Sequence, residues 1–524
     1  MIRTTFANTL TTRTLAATLA LLSGAASLHA DEQLPQPAWQ AMSPVAADAL
    51  RVAGGTMTQV TVITTDHEQW VSLPIDGVLV DIMVEPFSVR APTFEVFLRG
   101  EQGELTRYAA PRPKTVRGAV VGDPFSRVYG SIDGPTVNLT IVRPGHDTTL
   151  VRSVSRVLAG TPQDVHLVHT ASQTLPVTGA CGIDDAAMGN LVPPAQRIMQ
   201  APPAAADILL EDDEHNDQPP PAPGNEELAL GLFVTQVSFD SDNEFFVAQG
   251  SNANNCIDYI DEMMVGVDAV YRAQVGISYS VNRIVLSSSP SDPFVSGTSA
   301  SSRLVDLRNI WEGSPYNGFE RDVVQGIMGI DFDGNTIGVA YICNNGGCSG
   351  QICARRNNFT CPFGDGTGAD CGGYSVVEDF NTAGALDQIG LSAHEFGHNW
   401  GAQHCNGESD CFIMCTSIGG CMGSALTFGV SSRNSIISHR NSRPCLHQSA
   451  TTIYVRNTFA GPELGTVANP YITFRAGAYG CETGGFMQVS SGTYDGARSL
   501  HYLARPMTII GNGATSANPV RLTR

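Results

Sequence analysis

His394-Glu395-Phe396-Gly397-His398-Asn399-Trp400-Gly401-Ala402-Gln403-His404 has the form H-E-x-x-H-x-x-G-x-x-H, and its spacing carries a specific chemistry. Histidines four apart on a helix stand one turn above each other on one face, so both imidazoles reach one metal ion. Gly401 can take the left-handed conformation that ends a helix without a Cβ penalty. The chain then turns sharply and brings His404 round as a third ligand. Glu395 stands beside the first ligand, within reach of a water on the metal, and fits a general base. Three protein ligands with an open fourth position describe a catalytic zinc site, not a structural one. Leu386, Ile389, Gly390, Ala393 and Gly397 make this helix small and apolar, suited to burial beneath a cleft. Asn381 or Thr382 is placed to cap its N-terminus.

With these residues the chain resembles the metzincin metalloproteases, the adamalysin/reprolysin branch in particular. The resemblance implies a twisted mixed α/β sheet carrying a long zinc-binding helix, with a Met-turn below the metal. Cys411-Phe412-Ile413-Met414-Cys415 is similar to the family's C-I-M pattern, which makes Met414 the candidate and Met422 the fallback. The astacin and serralysin branches place a Tyr just after that Met, and none follows here. Reprolysins usually carry Asp directly after the third histidine. This chain has Cys405 there, so the support of that Asp comes from elsewhere, a disulfide through Cys405 being one candidate. Glu227 to Leu286 looks like the family's opening strand, helix and second strand. Gly329 to Tyr341 is similar to the segment leading into the edge strand above the cleft, where a substrate peptide is expected to add as an extra strand. Phe428 to Leu446 looks like its C-terminal helix. About 220 residues are covered, enough for one domain with a sizeable core.

The remaining chain of 524 residues implies further units. Arg3 and Arg13 precede the apolar run Leu15 to Leu22 and a stretch of small residues, which reads as an export signal at 1–30 cleaved after Ala30 or Ala26. No later apolar stretch approaches the ~18 residues of a membrane helix, so a secreted product without membrane insertion is expected, by way of the periplasm in a Gram-negative source. The balance of 50 Asp+Glu against 30 Lys+Arg argues against nucleic acid, which wants a basic face. It leaves calcium as a second candidate cation beside zinc.

Thirteen cysteines in an exported chain read as disulfides, and twelve of them follow residue 250. Six bridges would use those twelve, with Cys343 to Cys371 stapling a surface loop. Cys411, Cys415 and Cys421 could alternatively hold a second zinc. Cys181, in Thr178-Gly179-Ala180-Cys181-Gly182, stands apart from the rest. A thiolate is a strong zinc ligand and could fill the open fourth position, keeping the enzyme latent. This looks like the cysteine switch of matrix metalloproteases and adamalysins. A buried inert thiol or a bridge to Cys481 are the other readings. Val78 to Phe97 and Thr115 to Val142 alternate apolar and polar residues with glycine turns, which predicts a β-rich pro-domain over 31–192. The segment Val116 to Ser126 is similar to part of the reprolysin pro-domain. The stretch 193–225 is Pro- and Ala-rich with the acidic run Glu211-Asp212-Asp213-Glu214, and predicts a protease-accessible linker.

The metal motif falls in a catalytic domain over 226–448. Short β-like runs between Gly and Asn/Pro turns predict a small β-rich module over 449–524, with the look of a parallel β-helix fragment. The reading that follows is a secreted zinc endopeptidase, made as a latent zymogen, acting on proteins or peptides. His394, His398 and His404 hold zinc, with Cys181 added in the latent form, and Glu395 is the base. The alternative is an exported adhesion or binding protein on a catalytically silent metzincin scaffold. His439 and His447 read as surface or packing residues, and Asn138 and Asn358 as N-x-T sequons. Oligomeric state is not legible.

Overall fold

The computed structural model describes residues 39–42, 44–182 apart from 66–67, 124 and 176–178, and 233–441. Within the last range 320, 345–346, 349–351, 353–372, 381–384, 420, 422 and 424–425 are excepted. Beyond it the short segments 447–448, 452–458, 470–471, 486–495, 508–512 and 520–523 are described. The export signal, the linker 193–225, the cap candidates Asn381 and Thr382, the Met422 fallback and Asn358 lie outside the described residues.

The N-terminal region forms a ten-stranded sheet whose neighbouring strands run antiparallel. Its centre shows the two-residue period of a β pattern. Val137, Leu139 and Ile141 of Thr136–Val142 enter one core with Ile82 and Val84 of Val78–Pro86 and Val71, Leu73 and Ile75 of Gln69–Ile75. Two histidines are buried in this region. The backbone N–H of Val137 donates to His166 Nε2 (2.8 Å), so His166 Nδ1 carries the proton and donates to the Asp164 carbonyl (2.9 Å). Burial pushes both His166 and His169 down to about 4.

A stability prediction follows, because the folded-state values lie below the ordinary 6.5. Between pH 6.5 and about 4 the unfolded chain binds more protons than the folded one. The stability these histidines contribute is complete above pH 6.5 and is lost as pH falls toward 4, on the order of 3 kcal/mol for each. Protonation of His166 Nε2 also turns an acceptor facing Val137 N–H into a donor. Thermal melts between pH 7 and 4.5 should show the melting temperature of this region falling with pH; a flat profile contradicts the burial argument.

The second sheet carries the site. From one edge its strands are Ala180–Cys181, Thr336–Ala340, Gly373–Glu378, Val323–Met328, Phe233–Ser241, Ile277–Ser287, Arg90–Arg99 and Leu105–Tyr108, with His447–Gln448 pairing beside Phe233–Ser241. The strands from Gly373–Glu378 to Arg90–Arg99 run parallel, and Thr336–Ala340 is antiparallel to its inner neighbour. Val323–Met328 is buried at every position, as a parallel strand covered on both faces must be. Val323 and Ile327 face helices Ala253–Val275 and Ala385–Asn399, while Val324 and Met328 face helix Ala300–Glu312. Asn252 caps Ala253–Val275, accepting from Asn254 N, and Gly276 at φ 63° ends it. Gly266 brings this helix close to the site helix: a Cβ there would lie 2.3 Å from Ile389 Cδ1.

The mixed sheet with its helices and the β-rich N-terminal region agree with the expected architecture in outline. Two strands add a feature to it: Arg90–Arg99 and Leu105–Tyr108 fall within the expected pro-domain range 31–192, and they pair in the second sheet. The C-terminal strands Thr452–Val455, Phe486–Ser490 and Thr508–Asn512 stack in parallel, as do Gly492–Asp495 and Val520–Thr523. Val455, Met487 and Val489 are buried between them.

Two cysteine expectations need correction. Cys256 is an unbridged thiol, fully buried among Ile257, Ile260 and Phe245, so an even set of twelve bridged cysteines does not hold. A buried thiol behaves as a small hydrophobe, which parity counting ignores. Cys405–Cys411 and Cys415–Cys421 are disulfides, which leaves no thiolates there for a second zinc. The sequon at Asn138 is also closed to modification: the residue is 3% exposed, and its Oδ1 accepts from Ser153 N at 3.0 Å.

Candidate metal centre

Helix Ala385–Asn399 lies in the core, with Leu386, Ile389, Ala393 and Phe396 buried. Tyr271 Oη donates to the Ala393 carbonyl (2.8 Å), and Trp400 Nε1 donates to Tyr279 Oη (2.9 Å), fixing the helix from below. Gly401 has φ 84°, the left-handed conformation the turn required, and His404 returns to the first two histidines. The ring centroids of His394, His398 and His404 are 4.6, 4.8 and 5.3 Å apart.

The protonation of these rings fits a cation. His394 Nδ1 donates to the Ile413 carbonyl, and His398 Nδ1 donates to the Ala402 carbonyl (2.8 Å). Carbonyls only accept, so both Nδ1 atoms carry the protons and both Nε2 atoms present lone pairs. Those two Nε2 atoms face each other at 2.9 Å. With both rings neutral, two lone pairs so close favour a shared positive centre, and neutral imidazole Nε2 is a common zinc ligand. Burial pushes His394 down to about 3 and His398 well below its usual range, so both stay neutral.

Glu395 is fully buried, and neither carboxylate oxygen has a conventional hydrogen-bond partner. Burial pushes its pKa up to about 8, opposed by the neighbouring Cys181 thiol. A cation at the histidines would act in the same direction as the thiol. Gly338 lets the edge strand lie against Glu395, since a Cβ there would sit 2.6 Å from Oε1. Met414 is buried directly under the helix, and a Cβ on Gly397 would meet its Sδ at 2.5 Å. Met414 and the glycine in the motif are therefore packed against each other.

Cys181 arrives from the other side of the cleft. Its Sγ lies 3.6 Å from His398 Nε2. The potential ligand atoms of Cys181, His394, His398 and His404 all fall within 4.8 Å of one another. Its strand is held on two sides. Ala180 N donates to the Asn335 carbonyl (2.7 Å) and Gly182 N to the Gly338 carbonyl (2.8 Å), parallel to the edge strand. On the opposite wall Cys181 N donates to the Thr416 carbonyl (2.7 Å), and Ala180 pairs antiparallel with Ser417. Gly179 and Gly182 allow this approach, because added Cβ atoms would lie 2.4 Å from Ile337 Cγ2 and 2.7 Å from Thr336 Cγ2.

Four contributors to the site, Asn399, Thr416, Ser417 and Gly338, escaped the sequence reading. Asn399 Nδ2 donates to the Tyr341 and Tyr374 carbonyls (3.0 Å each), tying the end of the site helix to the sheet edge. Thr416 and Ser417 form the second wall of the cleft. Gly338 stood as a lone glycine in a strand pattern, a signal of close backbone approach that could have been used. Trp400 packs edge-on to His439 (centroids 6.0 Å), which is buried, and this puts His439 among the packing residues.

A buried helix with converging neutral imidazoles and an adjacent carboxylate offers a site suited to a divalent metal ion. Residues 257–405 match the family described as Metallo-peptidase family M12B, reprolysin-like, which supports a reprolysin-like metzincin reading of this stretch. The family is zinc-dependent and acts on protein or peptide substrates. Among solved structures the chain is similar to metalloproteinase-II from Bacteroides fragilis, at 12% identity and a TM-score of 0.34, over 72% of this chain and 92% of that one. Among the described residues no helix is long and apolar enough to cross a membrane.

Proposed function

We propose that the protein is a secreted zinc endopeptidase made as a latent zymogen. His394, His398 and His404 would hold the zinc, and Cys181 would join them in the latent form. Bound there, zinc supplies a Lewis acid that polarises a carbonyl and acidifies water. The Ile413 and Ala402 carbonyls keep the Nδ1 protons of His394 and His398 in place, so each Nε2 remains a donor of electrons. Glu395 accepts a proton from the attacking water at its carboxylate and delivers it to the leaving amine. The edge strand Thr336–Ala340 offers backbone groups to an extended substrate, along the track that Ala180–Cys181 takes. Export is read from the N-terminal segment, with Arg3 and Arg13 before Leu15 to Leu22.

The observation that carries this reading is the pair of bare Nε2 atoms 2.9 Å apart beside a buried carboxylate. A silent scaffold has no need of that carboxylate. The test is chelation. Casein cleavage by the protein, cut within 193–225, should vanish with phenanthroline and return when zinc is added back. Hydrolysis that survives metal removal rejects the metal mechanism, and failure to cleave any peptide library returns the silent-scaffold reading.

A further inference from the structure

The N-terminal region is attached to the catalytic sheet at both of its edges, by two different devices. At one edge the strand Ala180–Cys181 covers the cleft. At the other, Arg90–Arg99 continues the sheet beside Ile277–Ser287, pairing from Arg283↔Glu95 to Ser287↔Arg99. Five strands separate the two attachments.

The second attachment is built like an interior. Arg99 is 2% exposed, and its Nη2 donates to the fully buried Asp240 (2.6 Å). Its Nη1 donates to Ser287 Oγ (2.7 Å) and its Nε to Tyr316 Oη (2.9 Å). Trp311 Nε1 donates to the same Asp240 oxygen (2.8 Å), so Arg99 supplies the cation for a carboxylate in the middle of the catalytic sheet. Helix Ala253–Val275 adds an acidic face: Asp258, Asp261 and Glu262 lie at spacings of three and four, on one side. Each meets a cation from the N-terminal region. Lys114 Nζ reaches Asp258 (2.7 Å), Arg90 grips Asp261 through Nε and Nη2, and Arg156 Nη1 reaches Glu262 (2.8 Å). Ser131 Oγ also donates to Glu262 (2.8 Å), and Val89, Val96 and Tyr129 share one apolar core with the helix.

We propose that the N-terminal β region stays bound to the catalytic part after the chain is cut in 193–225, as a lasting second chain of the mature enzyme. Activation then displaces only the strand at Cys181. The inference rests on reading the chain as a zymogen cut in that stretch. Departure of the whole region would strip Ile277–Ser287 of its neighbour and open a sheet edge. It would leave Asp240 buried without its cation and three carboxylates crowded on one helix face. Displacing the Cys181 strand leaves that buried interface intact: it releases the backbone N–H bonds of Ala180, Cys181 and Gly182 and the contacts of the thiol at the metal centre, along a track a substrate strand can cover again.

The test uses the full chain with a site-specific protease sequence inserted in 193–225, as parent and as Cys181→Ala. Both are cut to completion and run on native size exclusion. The two fragments should co-elute at the mass of the uncut chain in both versions. Separation in the parent overturns the proposal. Separation in Cys181→Ala alone also overturns it, since the hold would then lie at the cleft. Lys114→Glu with Arg156→Glu should weaken the association by about tenfold or more on dilution, and an unchanged association overturns the role given to the acidic face. Peptidase activity is read on the same fractions. Its absence counts against the zymogen reading and leaves the co-elution result standing.

Discussion

Glu395→Gln should leave the protein folded and zinc-replete while lowering turnover roughly 10²- to 10⁴-fold, the usual contribution of a positioned general acid–base group. The substitution is close to isosteric, so the packing of Gly338 against this side chain is preserved. The carboxylate is fully buried and makes no conventional hydrogen bond that an amide would lose. What the amide cannot do is accept the proton of attacking water. The three imidazoles are untouched, and zinc content should match the parent. The decisive comparison is kcat/KM against zinc stoichiometry in the same preparation. Turnover near the parental value would remove Glu395 from the mechanism, and loss of zinc together with activity would make it a structural support.

The centre was legible in the sequence because its geometry is local. Helix spacing alone puts His394, Glu395 and His398 within one turn, and a single left-handed glycine brings back His404. Met414 and the edge strand followed from resemblance within the same stretch, and the packing of Met414 on Gly397 gives that resemblance a physical basis. Non-local pairing was not legible. The alternation in Arg90–Arg99 announces a strand, but nothing in a period of two says which sheet it joins. The partner of Arg99 lies 141 residues away at Asp240. The same limit explains Cys256, whose burial is a property of the packed core and not of cysteine parity. It also explains Asn138, whose sequon lies on a strand facing inward.

Cys181→Ala should raise the activity of uncut protein by about tenfold or more, the equivalent of removing ~1.4 kcal/mol from the closed state, without reaching the level of the cut enzyme. The thiol at 3.6 Å from His398 Nε2 is the one side chain of the strand placed to compete for the metal. The backbone around it is held independently. Ala180, Cys181 and Gly182 each donate an N–H to the cleft walls, and Gly179 and Gly182 keep the close approach that a larger residue would break. Each such bond contributes roughly 0.5–1.5 kcal/mol net, so the strand without its thiol still obstructs the cleft for part of the time. On the zymogen reading proposed above, latency has two components, and the variant should separate them. A further change on the same strand, Gly182→Val, introduces a Cβ 2.7 Å from Thr336 Cγ2 and should dislodge the backbone while the thiol remains. If Cys181→Ala is as silent as the parent while Gly182→Val is active, obstruction alone keeps the enzyme closed and the thiol is a bystander. If Cys181→Ala equals the cut enzyme, the thiol is the whole lock and the strand pairing only guides it into place.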